Sequence, residues 1–126
     1  MDGRSLLPLV DGHQAEYPHR RPLLIEFDSR PATNNAICTW NGVWQPSEVF
    51  VHYGYVARSR RCVKDDQYEY YNLRRDPYEL RNLAQVGSPA ATSGRQRKLE
   101  KDVRKLEDCA GIEGRDPRPE SGHFCD

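Results

Sequence analysis

The sequence predicts an α+β fold, a small antiparallel sheet packed by one C-terminal amphipathic helix. Three observations lead there. Residues 47–73 are dense in β-branched and aromatic side chains, the composition that suits a pleated, half-buried surface. Leu99, Val103, Leu106 and Ala110 recur at helical spacing on one face. Finally, 126 residues with 37% hydrophobic side chains and a mean hydropathy of -0.91 supply one small domain with a thin core.

In chain order, Met1 to His19 reads as a turn, a short apolar stretch interrupted by Pro8, and a polar loop. The proline excludes a helix interior or a central strand there. Arg21 to Phe27 is the first strand, because Leu23-Leu24-Ile25 is a continuous apolar run of the kind covered on both faces. Arg30 to Gln45 reads as irregular, with Pro31, Asn34, Asn35, Asn41 and Gly42 as punctuation around the isolated Trp40 and Trp44. Ser47 to Leu73 holds two or three antiparallel strands, and the polar Lys64-Asp65-Asp66-Gln67 is their hairpin connection.

Asp76-Pro77-Tyr78-Glu79 has the chemistry of a helix start, with Asp as cap, Pro in the first helical position and Glu reaching back to the cap. It predicts a short helical turn ending near Ala84. Ser88-Pro89 repeats that logic before the amphipathic helix, which runs to about Cys109 with Gly111 at its left-handed C-terminal position. Glu113 to Glu120 reads as a loosely held charged tail.

Nineteen Lys+Arg balance nineteen Asp+Glu. No single-sign field exists to steer the chain toward nucleic acid or an anionic membrane, so neither is an expected partner. No apolar run approaches the roughly 20 residues of a membrane helix, and Met1-Asp2-Gly3-Arg4 lacks the basic and apolar regions of a signal peptide. The four cysteines, Cys38, Cys62, Cys109 and Cys125, form no C-x-x-C pair. His123 and Cys125 are only two potential metal ligands where a structural zinc site needs four, so no metal site is expected. Cys109 and Cys125 flank a Gly/Pro-containing stretch and are placed to staple the tail, a closure worth roughly 3 kcal/mol in chain entropy. Free thiols in a reducing compartment are the other reading.

The histidines His13, His19, His52 and His123 have no Cys, Ser or Asp partner at a catalytic spacing. Ser5 and Ser59 lack the G-x-S-x-G elbow, and there is no glycine-rich phosphate loop. His19-Arg20-Arg21 and Arg58-Ser59-Arg60-Arg61 carry guanidinium forks that match sulfate or phosphate, or else form a solvated strand edge. Trp40 and Trp44 read equally as a stacking platform for a sugar ring or as a lid over a small core. The Lys and Arg residues of the long helix interleave with acids as a solvated face does. The residues alone therefore give a small α+β unit with no active site.

Several segments, in order, resemble the C-terminal region of the sulfatase family, most closely its N-acetylglucosamine-6-sulfatase and heparan-sulfatase-like members. Met1-Asp2-Gly3-Arg4-Ser5-Leu6-Leu7-Pro8-Leu9 is similar to the family's "DG-x-SLLPLL", and Arg21 to Glu26 to its "R-x-LLIE" strand. Val56-Ala57-Arg58-Ser59 resembles the "VRT" strand, and Glu69 through Ala84 the "ELYDL-x-x-DPYELRNLA" signature. The long helix with Cys109-Ala110-Gly111 is similar to the closing "L-x-x-L-x-x-C-x-G". Departures are Arg60-Arg61-Cys62, where the family has an aromatic and a lysine, and a wider gap between the closing cysteines.

The resemblance implies an alkaline-phosphatase-like enzyme of several hundred residues that hydrolyses sulfate esters. It would use a formylglycine, made from the first residue of C/S-x-P-x-R, and a calcium ion. Neither that motif nor an Asp/Asn cluster for calcium occurs in this sequence, so formylglycine and calcium belong to the intact enzyme and no cofactor is expected here. Residues 1–29 would end the catalytic-core region and 30–46 form an irregular loop. Residues 47–111 would be the C-terminal subdomain and 112–126 a tail. Its partner would be the missing catalytic core of the same polypeptide, and His52, Tyr53, Arg58, Trp40 and Trp44 would border the substrate pocket against a sulfated sugar. Cys109 and Cys125 are the disulfide candidate. Family members are commonly exported or lysosomal. The alternatives are a free-standing module binding a sulfated glycan through Arg20, Arg21, Arg58 and Arg60, and a degenerate remnant without function.

Overall fold

The computed structural model describes residues 7–13, 21–28, 37–59, 61–85 and 94–125. In chain order these form a short helix α1 (Leu7–Val10), strands β1 (Leu23–Asp28), β2 (Ile37–Gln45), β3 (Glu48–Arg58) and β4 (Arg61–Tyr71), and helix α2 (Gly94–Glu107). The strands make one antiparallel meander in the order β1-β2-β3-β4. With α2 against one face, the architecture is α+β.

Val43, Phe50 and Tyr70 of the sheet meet Leu99 and Val103 of α2 in the core, with Leu24, Tyr68, Leu83, Ala84 and Leu106 packed around them. Leu99 is fully buried, and burying such a side chain contributes about 1.5–3 kcal/mol. Because side chains alternate across a strand, the sequence neighbours of these core residues point the other way. Leu23, Ile25, Trp44, Val51 and Tyr71 thus share the face opposite α2.

Several local expectations are corrected. β1 is covered on one face only and lies at the sheet edge, leaving Leu23 56% and Phe27 39% exposed. The region 30–45 is not irregular throughout, since β2 fills its second half. Asn41 and Gly42, which look like turn residues, sit inside that strand. Gly42 is there because a Cβ would collide with the carbonyl oxygen of Phe50 on β3. Register shifts on either side of Thr39 complete the irregularity.

The hairpin turns between paired Arg58 and Arg61 rather than at Lys64–Gln67. Ser59 takes a φ of 50°, the left-handed conformation that two-residue hairpin loops use. The charged Lys64, Asp65 and Asp66 lie inside β4, where an edge strand keeps them solvated. No helix starts at Asp76. Its carboxylate accepts the backbone N–H groups of Leu80 (3.0 Å) and Arg81 (2.8 Å), closing a loop in which Glu79 has a φ of 55°.

Pro8 falls within α1, in a first turn that tolerates it. Gly111 does adopt a left-handed φ of 70°, but beyond the end of α2 rather than at its terminus. The tail is folded back, not loose. Ile112 donates its N–H to Asp116 (2.8 Å), Ala110 to the His123 carbonyl (3.1 Å) and Cys125 to the Gly111 carbonyl (3.0 Å). Residues 1–6, Arg20, Arg60 and the Ser88-Pro89 pair lie outside the described residues.

Candidate functional site

The strand register divides the sequence-derived candidates between the two faces of the sheet. His52 follows the parity of Phe50 and faces α2. Its Nε2 lies 3.2 Å from Asp66 Oδ1, and its ring stacks on Tyr68 at 4.7 Å with the planes 11° apart. Asp66 also sits 3.2 Å from Lys64 Nζ. The lysine, and then the histidine, hold the Asp66 carboxyl below its ordinary range.

Beside His52 a cavity of about 640 Å³ opens at the junction of β1, β2, β3 and the C-terminal end of α2. Glu26, Asp28 and Glu107 line it together with Phe27, Trp40 and Asn41. Phe27 and Trp40 stack with centroids 6.2 Å apart, and the Asn41 amide donates to Glu107, which ties β2 to α2. Three carboxylates make this a poor seat for a sulfate group, since like charges repel. Aromatic faces and carboxylate acceptors suit a sugar ring and its hydroxyls instead.

Tyr53 and Trp44 lie on the opposite face. The Tyr53 hydroxyl is pushed up to about 12 by burial and by the neighbouring, hydrogen-bonded Glu69. Trp44, 39% exposed, is not a lid over the core that α2 covers. Arg58 ends β3 at the hairpin, exposed, with its guanidinium 3.5 Å from Asp65. Trp40 pairs with Tyr53 and shares its face by register, yet it lines the cavity with His52, whereas Tyr53, Trp44 and Arg58 do not.

The residues present do not fit the catalytic groups that the resemblance implies. All four cysteines are in disulfides, Cys38–Cys62 and Cys109–Cys125, so none offers a thiol for conversion to formylglycine. Among the described residues no group of three or more His, Cys, Asp or Glu is arranged to hold a metal ion.

Sequence reasoning missed three features. The Cys38–Cys62 bridge spans β2 and β4, strands that are not neighbours in the sheet. Glu48, 5% exposed, accepts from Nε and Nη2 of Arg95 and from the Tyr70 hydroxyl (3.2 Å). Asn82 binds the backbone of β4 through its side chain. None of these has a spacing signal, because each pairs residues that only the sheet brings together.

No family model and no curated protein matches the sequence. Among solved structures, the chain is similar to BT4656, determined in complex with its substrate D-glucosamine-2-N,6-O-disulfate, at a TM-score of 0.61 and 18% sequence identity. The likeness is one of fold. It covers 84% of this chain but 19% of that one, so the present chain spans about a fifth of the BT4656 length.

Proposed function

We propose that this chain is the C-terminal subdomain of a sulfatase that hydrolyses sulfate esters, non-catalytic alone and bordering the substrate pocket in the intact enzyme. The observation that carries the reading is the fold shared with one fifth of a protein whose substrate is a sulfated glucosamine. The run from Glu69 to Ala84, which resembles the sulfatase signature, supports it independently. In this role the chain supplies walls and packing, while nucleophile and calcium come from the rest of the polypeptide. The cavity beside His52, with Trp40 as its aromatic wall, would take ring and hydroxyl groups of the sugar rather than its sulfate.

The reading of a free-standing glycan receptor has less support. Arg58 is paired with Asp65 and Lys64 with Asp66, so the cations near the hairpin are already partly neutralised. The test is to assay the purified 126-residue chain on an aryl sulfate with calcium, and to read the coding frame upstream of Met1. The expected results are no turnover and an in-frame C/S-x-P-x-R. Turnover by the chain alone overturns the reading.

A further inference from the structure

The outer surface of α2 carries a charge pattern that the sequence disguises. Along the chain, Arg97, Lys98, Lys101, Arg104 and Lys105 interleave with Glu100, Asp102 and Glu107. On a helix of 3.6 residues per turn the five cations instead fall within about 120° of one another, on the side opposite the buried Leu99 and Val103. All five are exposed. The acids lie on the flanks, where Glu100 accepts from Gln96 (3.1 Å) and Glu107 from Asn41. No ion pair among the described residues involves any of the five cations. Lys101 is the centre of the pattern. Side chains three and four residues away are its neighbours on the helix surface, and all four of them, Arg97, Lys98, Arg104 and Lys105, are cations. Like charges at these spacings destabilise a helix. Arg104 and Lys105 complement the helix dipole from the last turn, but Arg97 stands against it in a first turn that holds no acid. An anion seated at Lys101 relieves both effects.

From this geometry we infer that the outer face of α2, centred on Lys101, binds the anionic groups of a sulfated polysaccharide. The inference rests on the function proposed above for its choice of polyanion, and the residues themselves narrow that choice. α2 has no aromatic side chain on which nucleic-acid bases could stack. Its apolar side is packed against the sheet, which leaves none to enter a bilayer. The net charge of the whole chain is zero, so no long-range field draws in a duplex. A stripe about 12 Å long and one helix wide fits a single flexible strand. The guanidinium forks of Arg97 and Arg104 match the tetrahedral oxygens of sulfate, and the three lysines supply point charges between them.

Fluorescence anisotropy of the 126-residue chain with labelled heparin oligosaccharide tests this, in parallel with desulfated heparin and a single-stranded DNA oligonucleotide. Heparin should bind most tightly, and added salt should weaken it. Lys101→Glu, which reverses the central charge, should weaken heparin binding about tenfold or more, while the same charge change at exposed Arg75 in the loop after β4 should alter it less than about twofold. Because Lys101→Glu relieves repulsion on the helix, its melting temperature should not fall, which separates lost binding from lost fold. No binding to heparin, equal binding after desulfation, equal losses in Lys101→Glu and Arg75→Glu, or tighter binding to DNA overturns the inference. Any of those results leaves the sulfatase reading standing, because turnover of an aryl sulfate by the polypeptide extended upstream is read separately. A chain that binds heparin through Lys101 but has no sulfatase motif upstream keeps this surface and removes the sulfatase reading.

Discussion

Asn82 holds the loop after β4 to that strand by pairing with its backbone on both sides of Glu69. Its Oδ1 accepts the N–H of Tyr70 (3.1 Å), and its Nδ2 donates to the carbonyl of Tyr68 (3.0 Å). The same Oδ1 accepts from Ala84 (2.9 Å), while Leu83 donates its own N–H to Tyr70 (2.8 Å). A side chain here does the work of a fifth strand. Asn82→Ala leaves these partly buried groups without partners, at about 1–3 kcal/mol for the backbone donors and acceptors it strands. Urea denaturation should show a lower midpoint with an unchanged slope. An unshifted midpoint would mean the loop is held elsewhere.

The buried Glu48 makes the next prediction. It is stabilised by Arg95 and Tyr70, which link the start of β3 to α2 and β4. Arg95 is itself 37% exposed, so removing it leaves Glu48 with partial access to water, and Arg95→Met should cost about 1–3 kcal/mol, whereas the paired change Glu48→Gln with Arg95→Met should cost less. Thermal unfolding of the single and double variants measures the difference. Equal losses in both would contradict a charge-pair origin.

Two disulfides close loops with sequence separations of 24 and 16 residues. Chain entropy alone assigns each about 3 kcal/mol. Reduction with dithiothreitol should therefore lower the melting temperature markedly, and the Cys38→Ser, Cys62→Ser pair should lose at least as much as the Cys109→Ser, Cys125→Ser pair. A melting temperature indifferent to reductant would show that the bridges do not form. Two such bridges in so small a chain match proteins that fold in oxidising compartments.

Alkaline pH should unfold the sheet through its tyrosines. Tyr53 is raised from 10.0 to about 12 by burial and Glu69, so the folded state keeps its proton where the unfolded chain loses it. A raised acidic group contributes stability that is fully present below pH 10 and disappears as the pH climbs toward 12. Tyr68, Tyr70 and Tyr71 shift the same way through burial. Tyrosinate absorbance should rise late in the native protein, together with loss of circular dichroism. Tyr53→Phe should extend the stable range upward, and an identical alkaline midpoint in that variant would contradict the assignment.

Sheet, helix and their order were legible because they rest on periodicity. Val49 through Val56 and the Leu99, Val103, Leu106 spacing are local signals that burial then enforced. What was illegible depends on neighbours distant in sequence. Gly42 looks like a turn until the Phe50 carbonyl beside it shows why no side chain fits. Asp76-Pro77 looks like a helix cap until its carboxylate is seen closing a loop on Leu80 and Arg81. Lys64 to Gln67 looks like a turn because charge marks solvent exposure, which an edge strand also provides. The candidate site was only partly legible for the same reason. Strand parity separates His52 from Tyr53, and Trp40 lines the cavity that Trp44, four residues further along the same strand, does not reach.

The central claim is that this chain is the non-catalytic part of a sulfatase, and hydrolysis of an aryl sulfate in the presence of calcium tests it most directly. Three samples decide it: the 126-residue chain, the polypeptide extended to its upstream start, and that extended polypeptide lacking these 126 residues. The account predicts turnover by the extended polypeptide alone. Turnover by the 126-residue chain, or undiminished turnover once it is removed, would contradict it.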